Sequence, residues 1–174
     1  MALYFVGLGL NTEHLTLEAI KILSKADTVY VDSYTSIIPG FSINYLKKYC
    51  KGVVRAVYRR DLEGDSIRRI VEEARYRDVV ILVPGDPFIA TTHDAIRLEA
   101  LEKGVPIKIS HGVSIYSVVA GAIGLQAYRF GKTVTLVYPQ DFKPYSVIEA
   151  IRDNLARNLH TLVLLDLKLE QGIA

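Results

Sequence analysis

Val79-Val80-Ile81-Leu82-Val83-Pro84-Gly85-Asp86-Pro87 is the stretch that decides the fold. Five apolar residues in a row suit a strand covered on both faces, the habit of parallel sheets with helices on either side. The run stops at a turn in which two prolines restrict the backbone around a Gly-Asp pair. A turn that only reversed direction would not need both. Ligands of open α/β sheets bind just outside the carboxyl ends of such strands, so Asp86 is a candidate site residue by position.

Working outward, apolar patterning predicts further strands at residues 3–6, 28–31, 53–57, 105–109, 133–137 and 161–165. Helices are expected between them, at 15–23, 43–49, 67–74, 92–103 and 114–124. A last helix is expected to bury Val147, Ile148, Ile151 and Leu155, with Pro144 near a first-turn position. Alternation of this kind gives the α/β class: a mostly parallel sheet flanked by helices, plus the start of a second α/β domain. Residues 124–132 have weak periodicity and two glycines and serve as the expected linker, so the domains are set at 1–126 and 127–174. Only strand, helix and strand follow, so the second domain is expected to be cut short at its C-terminus.

The chain has 174 residues, enough to bury a core; half are hydrophobic and 23% charged, as in ordinary globular proteins. A net charge of +2 gives no ground for a nucleic-acid ligand. The single cysteine, Cys50, excludes an internal disulfide framework and a cysteine-based metal cluster, and fits a reducing cytoplasm. No apolar run approaches the ~18 residues that span a bilayer, and no leader pattern opens the chain. No metal site is expected: His93 has no second histidine or cysteine at ligand spacing.

Several loops at predicted strand ends carry polar groups. Gly7-Leu8-Gly9-Leu10 lets the backbone approach a ligand, but Thr12 stands where the dinucleotide fingerprint needs its third glycine. Asp32 follows the second strand, where an acid often meets a ribose hydroxyl, and opens the hydroxyl cluster Asp32-Ser33-Tyr34-Thr35-Ser36; a solvated loop acid with local side-chain-to-backbone bonds is the plainer expectation. Thr91 and Thr92 precede a helix and are expected to cap it. Ser110-His111-Gly112-Val113-Ser114 follows the next strand, so the Asp86 and Ser114 loops are expected to face one crevice. The nucleophile-elbow pattern Gly-x-Ser-x-Gly fails at Tyr116, and no Walker loop is present.

These segments, in order along nearly the whole chain, resemble the diphthine synthase family of the tetrapyrrole methylase fold. The likeness is carried by Leu3-Tyr4-Phe5-Val6-Gly7-Leu8-Gly9-Leu10, Tyr34-Thr35-Ser36, Gly85-Asp86-Pro87 with Ala90-Thr91-Thr92-His93, residues 111–114, Tyr128-Arg129-Phe130-Gly131 and residues 159–166. The resemblance implies an S-adenosylmethionine (SAM) methyltransferase, with S-adenosylhomocysteine as product. Its implied substrate is the amino group of the 3-amino-3-carboxypropyl histidine of translation elongation factor 2, in diphthamide biosynthesis. It implies cofactor contacts at Leu10, Asp86, Ile89, Ser114, Ile115 and Leu165, and a cytoplasmic homodimer. A sulfonium methyl is already activated, so transfer to an amine needs alignment and a proton sink rather than a covalent nucleophile. No catalytic base is assigned, and water can take the proton. The tail from Lys168 to Ala174 drifts from the family pattern, and a shortened second domain implies a shortened cofactor pocket. The rival expectations are an inactive fragment that at most binds a partner, and a methylase of the same fold acting on a tetrapyrrole.

Overall fold

In a computed structural model that describes residues 1–138, 140 and 142–167, strands β1 (Ala2–Gly9), β2 (Thr28–Asp32), β3 (Val53–Val57), β4 (Asp78–Pro84) and β5 (Ile107–Ser110) form one sheet. All its strand pairs are parallel, in the order β3-β2-β4-β1-β5. The helices are α1 (Leu17–Leu23), α2 (Ile43–Leu46), α3 (Arg59–Leu62), α4 (Ile67–Ala74), α5 (Asp94–Glu102), α6 (Ile115–Ala122) and α7 (Tyr145–Ala156). Two short strands, β6 (Val134–Leu136) and β7 (Val163–Leu165), pair in parallel after α6.

The apolar run behaves as a strand buried on both sides. Val79, Ile81 and Val83 pack in one cluster with Ile70, Val71 and Ala74 of α4 and Ile96 and Ala100 of α5. Val80 and Leu82 pack in the other with Ala19 and Leu23 of α1 and Leu46 of α2. β1 splits the same way, Leu3 and Phe5 to the first face and Val6 and Leu8 to the second. Each such side chain contributes about 1.5–3 kcal/mol by leaving water. Helices α1 and α2 carry the chain from β1 toward β3 across one face, and α4 and α5 carry it back across the other. The direction therefore reverses between the neighbours β4 and β1, the topological switch point where α/β sheets open a crevice.

Chain contacts divide the described residues into two units, one of Met1–Ser114 and one beginning at Ile115. Residue 126, the boundary set from the sequence, falls inside the second. Gly124 adopts φ +75°, and the amide of Leu125 reaches back to the carbonyl of Ala120 at 2.8 Å. That is a helix stop of the glycine type, which explains the weak periodicity read as a linker. The tail 168–174 lies outside the described residues.

Several expected boundaries shift. The helix expected at 15–23 begins at Leu17, capped by Thr16, whose hydroxyl accepts the Ala19 amide at 3.0 Å. The one expected at 43–49 ends at Leu46. In α7 the buried stripe is Val147, Ala150 and Asn154, while Ile148 and Leu155 are exposed. Pro144 sits at its N-cap, next to the first turn as expected. Asn154 is buried because it closes the second unit: Oδ1 accepts the Lys132 amide at 3.0 Å, and Nδ2 donates to the Lys132 carbonyl at 2.9 Å and to Thr161 Oγ1 at 2.8 Å. Among the described residues no helix is long and apolar enough to cross a membrane.

Candidate functional site

The carboxyl ends of β4, β1 and β5 lie side by side, and their loops meet backbone to backbone. Gly9 and Gly85 exchange amide-to-carbonyl bonds of 3.1 and 2.9 Å. A Cβ on Gly7 would stand 2.4 Å from the Gly112 nitrogen and 2.7 Å from the Gly85 carbonyl oxygen. A Cβ on Gly112 would stand 2.2 Å from that same oxygen. The glycines of the first and fifth strand ends are therefore required by close approach. Gly85, at φ +71°, would meet nothing within 4 Å, so the crest of its turn faces open space.

Asp86 follows that crest and is buried. Its Oδ1 accepts the Phe88 amide at 3.0 Å within its own turn. Its Oδ2 lies 2.7 Å from His111 Nδ1 and accepts the Gly112 amide at 3.3 Å. The expected facing of the two loops thus takes a specific form, in which the carboxylate of one turn closes the next. A carboxylate offers about four acceptor positions. Phe88, His111 and Gly112 occupy three of them, leaving capacity for a ligand donor.

The segment after Asp86 is tied down at several points. The Pro87 carbonyl accepts Thr91 Oγ1 at 2.6 Å and faces His93 Nδ1 at 3.2 Å. Thr92 Oγ1 bonds Tyr34 OH at 2.9 Å and donates to Glu63 Oε1 at 3.2 Å. Neither threonine caps α5, contrary to the sequence expectation. His93 stands at the cap position, and both hydroxyls are drawn to other partners. Ala90, just before Thr91, holds φ +56°, a left-handed conformation that costs a non-glycine residue about 1–2 kcal/mol.

Asp32, at the end of β2, makes the local bonds read from its sequence: Oδ1 accepts the amides of Tyr34 and Thr35 at 2.9 and 3.0 Å, and Oδ2 accepts the Thr35 hydroxyl. It also faces His93, Nε2 to Oδ2 at 3.3 Å, with both side chains fully enclosed. The contact lacks the alignment of a hydrogen bond, and it draws the two side chains together only when Nε2 carries a hydrogen. Burial pushes the Asp32 carboxyl up, but the His93 ring, the Thr35 hydroxyl and the Tyr34 amide outweigh it and hold it below the usual aspartate value.

Of the positions expected to contact cofactor, Leu10, Asp86, Ile89 and Ser114 belong to the first unit, and Ile115 and Leu165 to the second. Ile89, Ile115 and Leu165 are exposed, Ser114 is buried, and the Leu10 amide donates to His14 Nδ1 at 3.2 Å. Sequence reading missed the Asp32–His93 pair and the role of His111. Each joins residues far apart in the chain, and no local spacing marks them.

A family model described as Tetrapyrrole (Corrin/Porphyrin) Methylases matches residues 2–171. The diphthine synthase of Staphylothermus marinus is 59% identical over 175 residues, covering 99% of this chain and 65% of its own length. That of Methanocaldococcus jannaschii is 37% identical, covering 98% of this chain and 66% of its own. A crystal structure of diphthine synthase superposes with a TM-score of 0.86 at 42% identity, covering 95% of this chain and 64% of that one. A conserved hypothetical protein from Aeropyrum pernix gives 0.85 at 38% identity, covering 99% and 60%. The chain thus spans about two thirds of the length of the curated relatives it matches.

Proposed function

The chain belongs to the tetrapyrrole (corrin/porphyrin) methylase family, and on that premise we propose that it is a SAM-dependent methyltransferase acting as a diphthine synthase. The acceptor is the amino group of the 3-amino-3-carboxypropyl histidine of translation elongation factor 2. The observation that carries this reading is the 59% identity to a diphthine synthase along 99% of the chain. The names of the relatives favour this protein acceptor over a tetrapyrrole. Acting on a translation factor, the enzyme works in the cytoplasm, as a homodimer.

The first unit suits the cofactor. A bare backbone at Gly85 opens on free space, a buried carboxylate with spare acceptor capacity stands beside it, and exposed Ile89 offers an apolar contact. In this reading Asp86 takes a polar or cationic part of SAM, and backbone groups at Ile89, Ser114 and Ile115 take its adenine and methionine ends, with Leu10 and Leu165 completing the contacts. Bound SAM supplies an electrophilic methyl on a sulfonium. The chain's own work is then to bind, align and exclude water, because the attacking amine needs no covalent nucleophile. The Gly7–Gly112–Gly85 contact fixes the loops at the β4–β1 switch point, and Asp86 fixes the fifth strand's loop to them.

Calorimetry with S-adenosylhomocysteine, beside a methyl-transfer assay on elongation factor 2 carrying the 3-amino-3-carboxypropyl group, tests the reading. Binding that Asp86→Asn weakens, with methylation of that factor and not of a precorrin, is the expected result. Folded protein that binds neither SAM nor S-adenosylhomocysteine would overturn it.

A further inference from the structure

We propose that His93 and Asp32 are positioning residues for the Asp86–Ile89 turn: His93 latches the Pro87 carbonyl from beneath, and Asp32 holds the His93 ring in place. The proposal rests on the reading of that turn as part of the SAM site. A carbonyl oxygen only accepts, so His93 Nδ1 carries a hydrogen and donates to Pro87. The other ring nitrogen faces the Asp32 carboxylate at 3.3 Å, a contact that holds the ring with a hydrogen on that nitrogen as well, and neither side chain reaches solvent. Asp32 is itself immobilised by Tyr34 and Thr35 at the end of β2, a strand that neighbours β4 in the sheet. A second tie runs from the same strand end, Tyr34 OH to Thr92 Oγ1 at 2.9 Å.

Stability alone does not account for this arrangement. A buried pair of polar side chains is commonly matched or bettered by apolar residues of the same volume. The left-handed Ala90 adds a further cost in the same loop, between Ile89 and the latch. Backbone strain that the surroundings over-determine is concentrated where geometry matters for a ligand. Both costs fall on the segment that carries Asp86 and Ile89. Pro87 immediately follows Asp86, so a shift of its carbonyl moves the carboxylate.

The two ring nitrogens can be separated by substitution. His93→Asn keeps a donor near the Nδ1 position, on Pro87; His93→Gln keeps a polar group near the Nε2 position, on Asp32. Both are prepared in the full chain and compared by calorimetry with S-adenosylhomocysteine and by amide hydrogen exchange. Loss of the latch in His93→Gln is expected to weaken S-adenosylhomocysteine about tenfold and to speed exchange at Phe88–Thr92 about tenfold, with β1 unchanged, while His93→Asn stays within about threefold of wild type. Wild-type affinity in His93→Gln with unaltered loop exchange overturns the proposal. So does a loss of protection shared equally by the loop and β1 in both variants, the mark of a merely structural role. If the wild-type chain binds no S-adenosylhomocysteine, the cofactor reading fails and the exchange pattern alone decides whether the latch exists. If neither His93 variant folds, Asp32→Asn, which removes the charge facing the ring, is expected to weaken binding about threefold or more with the same selective exchange, and no change in either overturns the proposal.

Discussion

Asp86 Oδ2 stands 2.7 Å from His111 Nδ1, joining a side chain only 5% exposed to one 74% exposed. The same oxygen accepts the Gly112 amide, so the carboxylate has both a solvent-side and a half-buried partner. These partners are unequal in worth. Hydrogen bonds to a charged group are worth about 1.5–3 kcal/mol, and exposed ion pairs typically about 0–1 kcal/mol. Asp86→Asn is therefore expected to lower unfolding stability by about 2 kcal/mol in urea, and His111→Ala by less than about 1 kcal/mol. An equal loss in both would place the strength of the contact in the histidine.

Gly7→Ala is expected to destabilise by about 3 kcal/mol, the upper part of the range for overpacking, because the three nearest atoms its Cβ would meet are all backbone. The nearest are Gly112 N at 2.4 Å, Gly112 Cα at 2.5 Å and the Gly85 carbonyl at 2.7 Å. Gly121, inside α6, would meet nothing within 4 Å. There the substitution to Ala is expected to stabilise by about 0.5–1 kcal/mol through helix propensity. Thermal unfolding of the two variants, one midpoint falling and the other rising, checks the pair.

What the sequence made legible follows from how local each signal is. The two-faced burial of 79–83 needed only the unbroken apolar run, and Asp86 needed only its place after it. Strand order and the division after Ser114 depend on pairings between distant segments, which periodicity does not encode. The α7 stripe was misread because Asn154 is polar: hydropathy favoured Ile148 and Leu155, whereas three hydrogen bonds draw the asparagine inward. Thr91 and Thr92 were read as caps because their local sequence resembles a helix start. Pro87, Tyr34 and Glu63 compete for their hydroxyls, and only the fold brings those partners near. The local bonds of Asp32 were legible, but the expected solvated acid is instead buried, and nothing near it in sequence announced His93.

Tyr30 and Glu73 give an alkaline signature. The phenol donates to Glu73 Oε2 at 2.6 Å, while Thr28 donates to Oε1 at 2.6 Å. Burial, then the Glu73 hydrogen bond and charge, push the Tyr30 phenol from 10.0 up to about 12. Folding thus favours the protonated phenol. Its contribution is complete below pH 10.0 and is lost as pH rises through about 12. Tyr30→Phe is expected to cost about 1 kcal/mol at neutral pH and to flatten the stability profile in that alkaline window. Ultraviolet titration of folded wild type should show a late phenolate that the variant lacks; identical titrations would sink the assignment.

Asp32 sets the opposite window. Its carboxyl is held below the ordinary 3.8 by His93, Thr35 and Tyr34 despite burial. Between the folded and unfolded values the unfolded chain binds more protons, so stability rises with pH there. The contribution is present above pH 3.8 and is lost as acid carries the pH down through the folded value. Asp32→Asn keeps the acceptor for the Tyr34 and Thr35 amides but removes the charge facing His93. It is expected to cost about 2 kcal/mol at pH 7, in the range for hydrogen bonds to charged groups. The other carboxylates are common to both proteins and cancel in the difference. Urea midpoints measured from pH 7 downward should therefore run parallel to about pH 4 and converge below it, as the wild-type carboxylate takes up its proton. Curves that stay parallel into acid would show that Asp32 is not ionised against His93 in the folded chain.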